Sequence, residues 1–161
     1  MIKTEKLHDV YLALGSNLGN PRENLQTAIE NIKKRIGEVI SLSAFYTTQP
    51  VGFVSENLFF NAACHIKTSL QPLELLSELQ AIEKDMGRDN KSSGGNYSDR
   101  TIDLDILLYD SEVASFSELV LPHPHLHERS FVLYPLAEIA GDVWHPVLKK
   151  SISQLRDGLY E

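Results

Sequence analysis

Residues 10–14 (VYLAL) form a short apolar run that leads directly into residues 15–20 (GSNLGN). An apolar run closed by glycine, serine and asparagine predicts a buried strand followed by a loop. Asn20 is a favourable residue before a helix, and Pro21 suits the first helical position. Apolar residues then recur at helical spacing until Gly37, which stands where a glycine commonly ends a helix. The stretch therefore predicts a strand followed by a helix.

Four further elements follow along the chain. Apolar and polar residues alternate over 39–46 and again over 60–66, which predicts two strands joined by a loop over 47–57. A second helix is predicted from Pro72, and residues 101–109 (TIDLDILLY) have the pattern of another strand. The predicted order is thus strand, helix, strand, strand, helix, strand.

This order is typical of the α+β class with a ferredoxin-like βαββαβ core, in which helices cover one face of an antiparallel sheet. The other face is then free for a functional site. Helices are also predicted over 130–139 and 151–159, as additions to the core. We expect residues 1–161 to form a single domain.

Composition narrows the classes of function. The chain is 42% hydrophobic and 23% charged, which is ordinary for a folded globular protein. Its net charge of −7 disfavours binding to nucleic acid or to an anionic membrane, so we expect neither partner. The chain has no apolar run long enough to span a bilayer, and Cys64 is its only cysteine. Residues 1–6 lack the apolar block of a signal peptide, so none is expected. A cytoplasmic location is expected.

The pair Asp103 and Asp105 carries the strongest chemical signal. Residues two apart on a strand share a face, so both carboxylates are expected opposite the apolar Leu104. Two adjacent anions repel each other, and a divalent cation removes that conflict. Magnesium usually takes one or two protein carboxylates and completes its shell with water and substrate phosphates. The alternative is a solvated strand face that binds no metal.

Other polar residues are weaker candidates taken singly. Asn61 is expected on the same open face as the two aspartates, where an amide can read the edge of a heterocycle or simply face water. Arg88 and Arg100 bracket a polar, glycine-bearing loop, and they are either phosphate ligands under a lid or surface arginines. His123 is either one of three histidines for a transition metal or a single ligand for a phosphate.

Two segments have structural interpretations. The chain contains no P-loop motif, so residues 15–19 are interpreted as a tight turn and helix entry. Cys64 falls on the apolar side of its predicted strand and is interpreted as a packing residue.

Several blocks in a fixed order carry a family resemblance. They are residues 13–19 (ALGSNLG), 60–63 (FNAA), 100–107 (RTIDLDIL), 122–124 (PHP) and 129–136 (RSFVLYPL). Together they resemble the 6-hydroxymethyl-7,8-dihydropterin pyrophosphokinases of folate biosynthesis, over roughly residues 9–146. The RTIDLDI segment is much more specific to that family than a bare pair of aspartates.

The resemblance implies an activity and a set of ligands. The family transfers the terminal pyrophosphoryl group of ATP to the hydroxymethyl oxygen of the pterin and releases AMP. Two Mg²⁺ ions are held between the triphosphate and a pair of aspartates, which Asp103 and Asp105 match. ATP and the pterin are then the partners, and the chain is expected to be a monomer.

The resemblance also implies roles for nine other residues. Arg88 and Arg100 match the arginines that hold the phosphates, and Glu83 and His123 match nucleotide contacts. Asn61 matches the residue that binds the pterin edge, and Phe59 and Phe131 match the two rings that flank the pterin. Thr48 and Val51 match backbone positions of the pterin pocket. The chain differs from many relatives within the loop, at Asn90, Tyr97 and Asp99.

Two other functions fit parts of the sequence. A metal-dependent nucleotide hydrolase would use the same aspartates, and pterin-independent formation of AMP would reveal it. A non-catalytic ferredoxin-like binding module would need no aspartate pair. The residues identify no general base.

Overall fold

The computed structural model describes residues 6–48, 58–87 and 101–160. The first part of the chain contains β1 (His8–Ser16), α1 (Pro21–Arg35), β2 (Glu38–Leu42), β3 (Tyr46–Thr48), β4 (Phe59–Thr68), α2 (Pro72–Asp85) and β5 (Asp103–Tyr109). The second part contains β6 (Ala114–Ser115), β7 (Val120–Leu121), α3 (Ser130–Ala140), β8 (Trp144–His145), β9 (Lys150–Ser151) and α4 (Ile152–Asp157). Short 3₁₀ turns cover Leu126–Glu128 and Gly158–Tyr160.

The main sheet has the order β2-β4-β1-β5, and β3 extends it by pairing with the first residues of β4. All of these pairs are antiparallel. Because β1 and β4 occupy the centre and each helix connects strands that are not neighbours, the arrangement is ferredoxin-like. The predicted α+β fold is therefore confirmed.

Local signals place the ends of the first two helices. The Asn20 side chain accepts a hydrogen bond from the Glu23 N–H at 3.1 Å, as expected of a residue that caps a helix. At the start of α2, the Gln71 N–H donates to the Glu74 carboxylate at 2.9 Å. Gly87 follows α2 with a φ of 99°, a conformation that glycine adopts at little cost.

Helices cover both faces of the sheet, which differs from the predicted arrangement. The core on one face joins α1 and α2 to inward residues of the strands, among them Leu12, Cys64 and Leu104. A second core lies on the opposite face, where Leu133 and Leu136 of α3 and residues of α4 pack around Ala63. The face predicted to be free is thus partly covered by the C-terminal helices. A site on this face is confined to the part that they leave uncovered.

The predicted strand over 39–46 is interrupted in the structure. β2 ends at Leu42, and β3 begins at Tyr46, so residues 47 and 48, predicted as loop, belong to a strand. Ser43 lies in the gap and is buried, while Ile40 and Leu42 are 43% and 38% exposed. The apolar alternation predicted the wrong burial here, because β2 is an edge strand whose register shifts between Val39 and Ser41.

Gly37 is required for a reason different from the predicted one. It is not among the glycines with positive φ. A Cβ at this position would lie 2.0 Å from the Lys67 carbonyl oxygen and 3.2 Å from the Thr68 Cα. Close approach of the turn after α1 to the end of β4 therefore demands glycine, rather than a left-handed backbone.

The structure supports the packing role predicted for Cys64. Its side chain is fully buried, and burial raises the pKa of the thiol to about 12. We expect the folded protein to resist alkylation by iodoacetamide at pH 8 and to react fully in urea, because only the thiolate attacks. Mass spectrometry checks this. Modification of the folded protein at the rate of a free thiol would contradict the assignment.

None of the helices within the described ranges combines the length and the apolar character that crossing a membrane requires.

Candidate active site

A row of three residues crosses three neighbouring strands, β4, β1 and β5, on the α3 side of the sheet. Gly15 of β1 pairs with Asn61 of β4 on one side and with Asp103 of β5 on the other. Directly paired residues on neighbouring strands project to the same face, and strands lie about 4.8 Å apart. Asn61 and Asp103 therefore stand on either side of a position that has no side chain.

Asp103 and Asp105 occupy the predicted face of β5. Between them, Leu104 is buried in the core beneath α1 and α2, whereas both aspartates are only partly buried. Asp105 pairs with Ala13, the neighbour of Gly15 on the same face of β1. The period of two therefore predicted the direction of both carboxylates, and the strand holds them on a rigid element.

Asn61 also lies on the predicted face, since its neighbour Ala62 belongs to the opposite core. Only 7% of Asn61 is exposed. The interpretation as a polar residue on a wet sheet face is therefore wrong. A buried amide requires hydrogen-bond partners, which makes its orientation specific.

Gly15 lies between two of the predicted site residues, a placement that the sequence interpretation missed. Residues 15 and 16 are the last two of β1, not part of a tight turn. A Cβ on Gly15 would lie 3.2 Å from Asn61 Oδ1 and 4.0 Å from Phe59 Cδ1. The amide of Asn61 and the ring of Phe59 thus meet over Gly15. Gly15 is two residues after Ala13 on the same strand, and this spacing alone would have predicted that the two residues share a face.

Glu83 connects α2 to the backbone of the aspartate strand. Its side chain is 4% exposed, and its carboxylate accepts a hydrogen bond from the Leu104 N–H at 2.8 Å. The bond holds β5 at the residue between Asp103 and Asp105. Removing a buried acceptor would leave this N–H without its carboxylate partner and would disturb both aspartates.

His123 lies close enough to Asp103 for the two to interact electrostatically. Burial, together with the charges of Arg129 and His125, lowers the pKa of His123 to about 4, while the charge of Asp103 opposes this shift. The imidazole is therefore neutral at pH 7. Its Nδ1 accepts the His125 N–H at 3.1 Å, so the ring hydrogen resides on Nε2.

Phe131 lies in the first turn of α3, on the same side of the sheet as the aspartates. Its ring is partly buried against the second core. The guanidinium carbon of Arg129 stands 5.7 Å from the ring centroid, a cation–π distance. The family block over residues 129–136 assigns Arg129 no role of its own, whereas the structure brings its charge to both Phe131 and His123.

The three neighbouring histidines do not form a group of metal ligands, and two of them share one carboxylate. His123 accepts from the backbone of His125, and His125 Nδ1 lies 3.1 Å from the Glu128 carboxylate. His127 Nε2 lies 3.5 Å from the same carboxylate. In the ranges 6–48, 58–87 and 101–160, no three side chains of His, Cys, Asp or Glu are grouped to hold a metal ion by themselves.

The remaining predicted residues lie at or beyond the edge of the described structure. Thr48 ends β3 and pairs with Phe59 through its backbone. Val51, Arg88 and Arg100 fall outside the described residues, as does the loop predicted to be a lid.

The chain is similar to known proteins over most of its sequence. The sequence model of 7,8-dihydro-6-hydroxymethylpterin-pyrophosphokinase (HPPK) matches residues 11–141. A Porphyromonas gingivalis 2-amino-4-hydroxy-6-hydroxymethyldihydropteridine pyrophosphokinase is 47% identical over 81% of this chain and 90% of its own length. The Haemophilus influenzae enzyme of the same name is 40% identical over 91% of this chain and 92% of its own.

A solved structure shares the fold. The crystal structure of Plasmodium falciparum HPPK-DHPS wild type with pteroate matches 98% of this chain with a TM-score of 0.77, at 17% identity. This chain spans 43% of that longer one. The sequence matches decide the family: the chain belongs to the 7,8-dihydro-6-hydroxymethylpterin pyrophosphokinases, which transfer pyrophosphate from ATP to hydroxymethyldihydropterin in folate biosynthesis.

Proposed function

We propose that the row of Asn61, Gly15 and Asp103 is the centre of the active site, where the pterin and the ATP phosphates meet. The row supports this proposal because it places Asn61 and Asp103 two strands apart, with their backbones roughly 10 Å from each other, and the residue between them is a glycine without a side chain. The amide suits the polar edge of a flat heterocycle, and the carboxylate suits a metal-bound polyphosphate.

Asp103 and Asp105 are proposed to hold Mg²⁺, with two ions per site. The donor set fits this metal, because two hard carboxylate ligands on one strand leave the other coordination positions to water and phosphate oxygens. Bound Mg²⁺ neutralises negative charge that develops on the transferring phosphates. Glu83 contributes by holding the strand between the two ligands, and we retain its predicted contact with the nucleotide as part of the proposal.

The pterin is proposed to bind between the rings of Phe59 and Phe131, with its polar edge against Asn61. Phe59 and Asn61 are two apart on β4 and therefore share a face. Aromatic faces with convergent polar groups are a common way to hold a flat conjugated ligand. The backbones at Thr48 and Val51 are proposed to complete the pocket.

Positively polarised groups are proposed to hold the phosphates. His123 presents a neutral Nε2–H donor near Asp103, and a donor of this kind can bind a phosphate oxygen. Arg88 and Arg100 are proposed to add charge as the phosphates rearrange. Attack on phosphorus needs positioning and neutralisation of charge more than covalent help, and these residues provide both.

We further propose that residues 1–161 act as one cytoplasmic, monomeric pyrophosphokinase domain that binds neither nucleic acid nor membrane. The net charge of −7 supports the absence of polyanionic partners.

The deciding experiment measures AMP released from ATP with and without the reduced hydroxymethylpterin. We expect AMP to form only when both the pterin and Mg²⁺ are present, to stop after chelation with EDTA, and to return when Mg²⁺ is restored. AMP formed equally fast without the pterin would instead identify a nucleotide hydrolase.

Replacing Asn61 with alanine is expected to weaken pterin binding by about tenfold or more, because a buried, directional hydrogen-bond partner is lost. ATP binding should change by less than about twofold, since the amide stands two strands from Asp103. Isothermal titration with each ligand checks this. Equal losses for both ligands would contradict the assignment of Asn61 to the pterin edge.

A further inference from the structure

Glu138, in the last turns of α3, contacts a segment of the chain more than ninety residues earlier. Its Oε1 accepts a hydrogen bond from the Tyr46 hydroxyl at 2.6 Å. The Ala44 N–H donates to the same carboxylate, at 3.0 Å to Oε2 and 3.2 Å to Oε1. One side chain thus receives two donors from the junction between β2 and β3.

The regular backbone pairing with β4 is interrupted at that junction. β2 stops at Leu42, and pairing with β4 resumes at Tyr46. Ser43 is still tied to Ala63, since its N–H donates to the Ala63 oxygen at 2.9 Å and its Oγ accepts the Ala63 N–H at 2.9 Å. The N–H of the next residue, Ala44, donates to the Glu138 carboxylate on α3 and not to a neighbouring strand.

The carboxylate therefore joins the two sides of the proposed pterin pocket. On the sheet side, Tyr46 pairs directly with Asn61. On the helix side, Glu138 follows Phe131 by seven residues, or two turns, so the two side chains lie on the same stripe of α3. α3 also packs directly on β4 around Ala63, and the Glu138 carboxylate adds a second attachment between α3 and the strand that pairs with Asn61.

We propose that Glu138 is a positioning residue for the pterin, which sets the separation of Phe131 from Asn61 and Phe59 by clamping α3 to the start of β3. This inference rests on the proposed function of those residues. Glu138 is exposed, so its bonds add little to overall stability, and their main effect is on geometry. The bond to Glu138 is the main cause that raises the pKa of Tyr46, so the phenol remains a donor throughout the neutral range.

The test compares Glu138→Ala with Glu138→Gln, with Tyr46→Phe, and with Glu30→Ala as a control. Glu30 is an exposed glutamate on α1 that forms a 3.3 Å ion pair with Lys33, away from the sheet face that carries the site. We expect Glu138→Ala to raise the KM for the pterin about tenfold, the factor that corresponds to 1.4 kcal/mol, with less than about twofold change in the KM for ATP. Glu138→Gln should recover most of the loss, since its amide oxygen still accepts.

Tyr46→Phe should raise the pterin KM less than Glu138→Ala does, and it should add nothing in the Glu138→Ala background, because the bond is already absent. Glu30→Ala should match the wild type. A pterin KM within about twofold of wild type in Glu138→Ala, or parallel changes in both KM values, would overturn the inference. Should Glu138→Ala fail to fold by circular dichroism, Glu138→Gln and Tyr46→Phe carry the same comparison.

Wild-type turnover separates this inference from the function on which it rests. Pterin-dependent AMP formation by the wild type, together with an unaffected Glu138→Ala variant, would remove only the positioning role. Wild-type protein without pterin-dependent turnover would overturn both.

Discussion

Replacing Asp103 or Asp105 with alanine is expected to abolish pyrophosphoryl transfer while leaving the protein folded. The two carboxylates lie on the partly exposed face of β5, so neither contributes its side chain to the apolar core. Each substitution removes one of two proposed ligands for Mg²⁺, and with it the neutralisation of charge on the phosphates. We expect turnover to fall by a factor of about 10³ or more. AMP formation and thermal unfolding measure the two effects separately.

A matched control is Asp142→Ala, which removes an exposed aspartate after α3 that the proposed site does not use. It should retain wild-type turnover and stability. Isothermal titration of Mg²⁺ with a non-hydrolysable ATP analogue provides a second readout, in which both site variants should lose most of the metal-dependent gain in nucleotide affinity. A folded Asp103→Ala or Asp105→Ala protein with normal turnover would rule out the metal role.

Replacing Gly37 with alanine is expected to be the most destabilising of the glycine-to-alanine changes in the described part of the chain. The new Cβ would lie 2.0 Å from the Lys67 carbonyl oxygen, and the Lys67 carbonyl carbon and Thr68 Cα would lie at 3.1 and 3.2 Å. All three atoms are backbone, so no flexible side chain can move aside, and the turn after α1 must separate from β4. We expect a loss of about 3 kcal/mol in the free energy of unfolding. Urea denaturation followed by circular dichroism measures it.

Gly158→Ala is the control for this substitution, because a Cβ there would meet no atom within 4 Å and its φ is −80°. It should change stability by less than about 1 kcal/mol. If Gly37→Ala unfolded at the same urea concentration as Gly158→Ala, the close approach to β4 would not limit this position.

Local patterns predicted much of the fold because they act over a few residues. The cap at Asn20 and the glycine after α2 mark helix ends through hydrogen bonds and backbone angles that a short segment determines. The period of two along β5 similarly predicted that Asp103 and Asp105 share a face, since alternation is a property of any strand. Family blocks in the sequence then predicted which of these residues form the site.

Sequence alone therefore determined the order of the elements, the class of fold, the direction of the two aspartates and the family. The tertiary structure decided that Gly15 stands between Asn61 and Asp103, and that Gly37 is required by contact with Lys67. It decided that Glu138 receives donors from the junction between β2 and β3. It also decided that α3 covers part of the face predicted to be free. The reason is physical: helix caps and alternation depend on neighbours along the chain, whereas register, close approach and a shared carboxylate depend on residues that only folding brings together.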